Sequence, residues 1–231
     1  MDSIIEQLKR LQDDKYKLFQ SSLLPNIDPD TILGVRIPDL RKLAKKLKDS
    51  EEAEQFLHTL PHATYDENNL HAFLIDQQCH DYDTALTYVE EFLPYVDNWA
   101  TCDSFTVRAL LKDRDRLKSQ CLKWMDSDHP YTVRYGIVVQ LKYFISREFD
   151  PEVLRKVVTL HSDHYYVRMS QAWYLSMALI EQQEVTVPYF ESGKCDVWVH
   201  NKALQKACES LKSTEEQREL YRQMKRKPEV E

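Results

Sequence analysis

Trp99 and Asp103 stand four residues apart in the segment Asp97-Asn98-Trp99-Ala100-Thr101-Cys102-Asp103. On helical or turn-like backbone, residues four apart share a face, so this spacing sets an indole beside a carboxylate. A carboxylate in such a partly apolar setting stabilises a developing positive charge or orients a water molecule. The same spacing also allows a plainer arrangement, in which Asp103 caps the following helix and Trp99 is core. Arg134 lies over Ile137, Val138 and Leu141, at the head of an apolar stripe rather than on the opposite polar face. A cation there needs a partner, either a carboxylate from a neighbouring element or a ligand phosphate. Trp173 sits among Met169, Ser170, Ser176 and Met177, whose small or flexible side chains leave room for an indole to face a groove. A core position is its alternative.

Other chemistries find less support. His58 with His62, and His161 with His164, have spacings that could ligate, but no cysteine or carboxylate set completes a metal site. No Ser-His-Asp arrangement stands out. No Gly-x-Gly-x-x-Gly or Walker-type loop exists, so a nucleotide cofactor is not expected, nor is a metal.

The elements that must hold these residues read as helices throughout. Only three of the 231 residues are glycine, which argues against turn-rich β folds and glycine-rich phosphate loops. Pro38 opens a helix to Lys48, and Asp150-Pro151 precedes one over Val153 to Leu160. Ser213 with Glu216 matches a capping box for a last helix to about Lys227. Residues Ser3 to Gln20 read as one amphipathic helix, with Ile4, Ile5, Leu8, Leu11 and Leu18 on one side. Helical patterns also cover about 51–58, 65–79, 83–94, 104–111, 114–126, 131–146, 165–181 and 198–211.

The later helices repeat one another. Ser127-Asp128-His129-Pro130-Tyr131-Thr132-Val133-Arg134 is echoed by Ser162-Asp163-His164-Tyr165-Tyr166-Val167-Arg168. Weaker copies are Cys195-Asp196-Val197-Trp198-Val199-His200 and Asp103-Ser104-Phe105-Thr106-Val107-Arg108. Their Val-Arg or Val-His steps fall at 107, 133, 167 and 199, at intervals of 26, 34 and 32 residues. Paired antiparallel helices of the HEAT type have such a period and stack into a superhelix with a concave binding face. The expected fold is all-α, a superhelical array of helix pairs forming a single domain over residues 1–231.

Apolar residues make up 42 % of the chain and charged residues 30 %, at a net charge of −7. Acidity overall does not exclude an anionic partner, because binding follows local potential. The basic residues cluster in Arg36, Arg41, Lys42, Lys45, Lys46 and Lys48, and again from Arg108 through Lys112, Arg114, Arg116 and Lys118 to Lys123. Solvated helix faces account for such clusters equally well. The five cysteines are scattered without a C-x-x-C pair and read as reduced packing thiols. With no apolar run of membrane length and no basic n-region or apolar h-region at the start, the expected setting is cytoplasmic.

Taken together, these segments resemble the AlkD-type DNA alkylation repair proteins, the HEAT-like-repeat alkylpurine DNA glycosylases. The resemblance lies in Lys123-Trp124-Met125-Asp126-Ser127-Asp128 continuing through Arg134 to Gln140-Leu141-Lys142-Tyr143, and in the Trp-x-x-x-Asp of Trp99 and Asp103. It extends to Tyr165-Tyr166-Val167-Arg168 with Trp173, and to Gly34-Val35-Arg36-Ile37-Pro38-Asp39-Leu40-Arg41. It covers roughly residues 30 to 210, and the last repeat, Val197 to Lys206, looks like that of a shorter branch of the superfamily. The resemblance implies a monomeric enzyme that excises cationic N3- and N7-alkylated purines from double-stranded DNA, without flipping the lesion into a pocket. It implies that Trp99 and Trp173 pack against the deoxyribose, that Asp103 stabilises the oxocarbenium-like sugar and positions water, and that Arg134 holds a phosphate. Arg36, Arg41, Arg168, Lys202 and Lys206 are the further expected DNA contacts. The other expectation is a catalytically inactive scaffold that binds DNA or protein.

Overall fold

The computed structural model of this chain describes residues 3–227. Among them are fourteen α-helices, three short 3-10 turns and no strand. No described helix is long and apolar enough to cross a membrane. The chain divides into two compact units after Leu117.

The first unit holds α1 (Ile4–Arg10), α2 (Asp14–Leu23), α3 (Ile37–Leu47), α4 (Glu51–Leu57), α5 (Tyr65–Gln78), α6 (Tyr82–Phe92) and α7 (Trp99–Ser104). Helix α8 (Arg114–Trp124) contains the division. The second unit continues with α9 (Pro130–Tyr143), α10 (Pro151–Thr159), α11 (Tyr165–Glu181), α12 (Gln183–Glu191), α13 (Val197–Glu209) and α14 (Glu215–Gln223). Side chains start most of these helices. Ser3 with Glu6 and Thr64 with Glu67 form capping boxes, and Asp13, Ser50, Asp81, Asp150 and Asp196 each accept a first-turn backbone N–H.

Each unit is built around helices buried on nearly every side. In the first, α5 is buried from Tyr65 to Ile75 except at Glu67, and packs against α3, α4, α6 and α7. In the second, α9 is buried from Tyr131 to Leu141, and α11 packs against α9, α10, α12 and α13. The repeat read from the sequence is written into the polar ties within each unit. Gln78 to the Lys48 carbonyl, Arg108 to Asp76 and Arg116 to Asp83 span 30, 32 and 33 residues. Arg134 to the Tyr166 carbonyl, Arg168 to Asp196, Lys212 to Glu181 and Gln217 to Gln183 span 32, 28, 31 and 34. One helix pair thus hands its side chains to the next at the period of the sequence motif, as a helical repeat array requires.

The structure departs from the sequence expectations in four places. Residues Ser3 to Gln20 form two helices, because Gln12 leaves the helix to bridge Val35 and Asp13 restarts it as the cap of α2. The loop opposite is locked there: Gly34 has φ +83°, and a Cβ on it would lie 2.6 Å from the Asp13 carbonyl oxygen. The buried Asp66 carboxylate accepts the backbone N–H groups of Leu33, Gly34 and Val35, an anion nest that holds the loop down. Second, the expected helix over 104–111 is a short α7 followed by extended backbone at Phe105 and Val107 and a 3-10 turn at Arg108–Lys112. The Asp76 side chain, not a local residue, receives the Arg108 backbone N–H at 2.8 Å. Third, the last capping box is Thr214 with Gln217, and its helix ends at Gln223 rather than near Lys227. Fourth, α12 had no forecast; it carries Pro188 in its interior.

Candidate functional site

In the first unit, Asn98 creates the local geometry. Its side-chain oxygen accepts the Thr101 backbone N–H at 2.8 Å and its amide donates to Thr101 Oγ1 at 3.0 Å, which starts α7. Thr101 and Cys102 turn into the core, whereas Trp99 and Asp103 remain half-buried. One turn apart on this helix, the indole and the carboxylate share a face. Asp103 is therefore not the cap of a following helix; it lies in the last turn of α7, and the backbone beyond is extended. Trp99 is neither enclosed nor loose. Its ring packs against the cluster of Leu24, Ile27, Ile32 and Tyr65, and its indole N–H donates to the Leu23 carbonyl at 3.2 Å. Asn26 reaches the Asp97 carbonyl at 2.8 Å, so the end of α2 is fastened to both sides of the start of α7.

In the second unit, Arg134 is buried at 5 % exposure and donates from Nη1 to the Tyr166 carbonyl oxygen at 2.7 Å. The need for a partner, visible in the sequence, is met in part by the backbone of the next repeat. The charge of Arg134 is felt around it. Burial first, and the Arg134 charge second, lower the His164 imidazole below its ordinary range. Burial, then the charges of Lys202 and Arg134, lower the Lys206 ammonium, with Glu209 opposing. Lys202 and Lys206 share a face of α13, and the Lys202 ammonium bonds Gln205 at 3.1 Å. Arg134, Lys202 and Lys206 are thus three cations, partly withdrawn from water, whose charges act on one another, with the Glu209 carboxylate acting against them at Lys206. Trp173 is half-buried on a stripe of α11 with Tyr166, Met169 and Met177, flanked by the buried Ala172 and Tyr174.

The remaining basic residues are placed differently. Arg36, at the N-cap position of α3, bonds Asp13 through Nε and Nη2 at 3.0 and 2.7 Å and lies over the Tyr16 ring. The backbone N–H of Tyr16 and then Arg36 hold the Asp13 carboxyl below its usual range. Arg41 is exposed, with its guanidinium 4.2 Å from the centre of the Phe73 ring. Arg168 pairs with Asp196 at 2.8 Å. Of the cluster from Arg108 to Lys123, Arg108 pairs with Asp76, Arg116 with Asp83 and Lys118 with Glu148, so much of it ties helices together.

Two features escaped the sequence reading. His62 pairs with His71, not with His58, at 2.8 Å between ring nitrogens, and Phe56 and Phe92 stack on the outer faces of the pair. Burial lowers His62 to about 4 and His71 to about 2. The other is a row of aromatic rings at the starts of α9, α11 and α13; its signal was the Tyr-Tyr and Trp residues inside the repeated motif. Among the described residues, no three or more His, Cys, Asp or Glu side chains gather as a metal site would need.

The family model of the DNA alkylation repair enzymes matches residues 4–221, nearly the whole chain. No curated protein matches it.

Proposed function

This chain belongs to the DNA alkylation repair enzyme family, and on that premise we propose that it is a DNA glycosylase for cationic N3- and N7-alkylated purines in double-stranded DNA. Alkylation at N3 or N7 makes the purine a cation and a good leaving group. The enzyme then has mainly to stabilise positive charge on the sugar as the N-glycosidic bond breaks, and to deliver water. Asp103 supplies the negative charge and orients the water. Trp99 and Trp173 lay aromatic faces against the deoxyribose, whose developing charge favours them. Arg134, Lys202 and Lys206 take backbone phosphate, with Arg168, Arg36 and Arg41 as outer contacts. The reaction needs no cofactor, the lesion stays in the duplex rather than entering a pocket, and the working form is a cytoplasmic monomer.

The observation that carries this reading is the placing of Trp99 and Asp103 on one face of a short, capped helix, both half-buried. The indole is fixed by its bond to Leu23, so the carboxylate works beside a rigid aromatic wall. A second reading, an inactive scaffold that binds DNA or protein, draws on Arg134, Arg36 and Arg168, each already bonded within the fold. Incubation with methylated duplex DNA separates the two. The glycosylase releases free 7-methylguanine and 3-methyladenine and leaves abasic sites in equal number. Binding of the duplex without release of either base assigns the chain to the second reading.

A further inference from the structure

Tyr165 is the first residue of α11, and the residue is 55 % exposed. Exposed tyrosines are commonly mobile, but this one is held. Tyr166 meets it at 5.2 Å with 79° between ring planes, and Trp198 at 5.9 Å with 63°. Such edge-to-face contacts favour one orientation of the ring. Trp198 is itself supported: the Arg168 guanidinium lies 4.6 Å from its centre, and Asp196 anchors that guanidinium at 2.8 Å. Inward, Tyr166 stands 6.0 Å from His164 and 6.1 Å from Tyr131, so the rings run on across the starts of three successive motif helices. The Tyr166 carbonyl is also the acceptor of Arg134, which joins the row to the cation group beside it. At His164, before Tyr165, no side chain caps the positive end of this 17-residue helix.

A rigid aromatic face at the N-terminus of a long helix, with no side-chain cap on that end, matches one ligand chemistry well, a flat π-system carrying negative charge close by. A nucleotide has both, and a base stacks on such a ring whatever its sequence. We propose that Tyr165 is a stacking platform for an unpaired nucleobase of the bound DNA, with Trp198 and Arg168 as its support. This rests on the reading of the chain as a DNA-binding repair protein. Bases within an intact duplex already stack on their neighbours, so the platform takes a base that has lost its pairing or stands at a strand end. It thereby gives the protein a preference for damaged or open duplex over intact duplex.

The test uses the full chain and two duplexes of identical sequence, one fully paired and one with a single unpaired 2-aminopurine, whose fluorescence falls on stacking. The wild type is expected to bind the unpaired probe about tenfold more tightly and to quench it. Tyr165→Ala should lose both effects while keeping its affinity for paired duplex within about twofold; Tyr165→Phe should keep both, since the ring and not the hydroxyl does the stacking. Wild type that binds both duplexes equally, without quenching, overturns the platform and leaves the DNA reading standing; it turns this surface over to a protein partner. The same holds if Tyr165→Ala retains the preference. Wild type that binds neither duplex removes the DNA reading and the platform with it.

Discussion

Arg134 shows how one side chain serves the fold before it serves any ligand. Its guanidinium is buried and donates to the Tyr166 carbonyl, tying α9 to the first turn of α11. Arg134→Gln removes that donor and leaves a carbonyl facing an ill-fitting amide, which should cost about 1–3 kcal/mol in urea unfolding. An unchanged midpoint would show that the bond contributes nothing. The His62–His71 pair makes a second claim at this scale. Both rings have their folded pKa pushed below the ordinary 6.5, to about 4 and about 2, by burial. The unfolded chain therefore binds more protons than the folded one once pH drops below 6.5. The stability contributed by keeping the rings neutral is complete above that pH and is lost progressively as pH falls, toward 4 for His62 and on toward 2 for His71. Melting temperature should decline through this window, and His71→Phe, which stacks with Phe92 without titrating, should flatten the decline. An identical pH profile in the variant would place the acid sensitivity elsewhere.

At the scale of the element, what was legible was local chemistry. Pro38 and Pro151 marked helix starts, and the period of the Val-Arg motif is also the period of the ties between residues about thirty apart. The side-by-side placing of Trp99 and Asp103 was likewise readable, because an i, i+4 pair needs only a helix. What was illegible depended on residues distant in sequence. The break after α1 is held by the Asp66 nest more than fifty residues away, and the non-helical stretch after α7 by Asp76. The Asp103 cap followed from expecting a helix to start at 104, and it failed because Ser104 ends α7 and the backbone beyond it is extended. The row of rings at Tyr165 was hidden for the same reason, since Trp198 comes from the next repeat. Asn98 is where an element and the site meet. With only six residues, α7 has little else to start it, so Asn98→Ala should cost about 1 kcal/mol of stability. It should also slow catalysis by letting Asp103 drift; a variant with lower stability and unaltered turnover would separate the helix from the chemistry.

At the scale of the whole molecule, a net charge of −7 must be reconciled with a polyanionic substrate. The resolution proposed is local: three cations gathered around Lys206, on a chain whose other arginines are largely neutralised by ion pairs within the fold. Few phosphate contacts then carry the binding, and its salt dependence counts them, each contributing about 0.9 to the slope of log affinity against log salt. Replacing Lys202 and Lys206 together by Gln should lower that slope by about 2, with little change in the urea midpoint. A slope that is flat in the wild type would count against DNA as the partner.

Asp103 is proposed to do its chemistry on a sugar beside Trp99. Single-turnover release of 7-methylguanine from a duplex at saturating protein, comparing wild type with Asp103→Asn, reads that role without interference from binding or product release. Asparagine keeps the size and half-burial of the side chain and removes its charge. Release by the wild type is expected, with a loss of about a hundredfold or more in the variant and with duplex affinity and thermal stability preserved. Release at the same rate from both proteins would contradict that role.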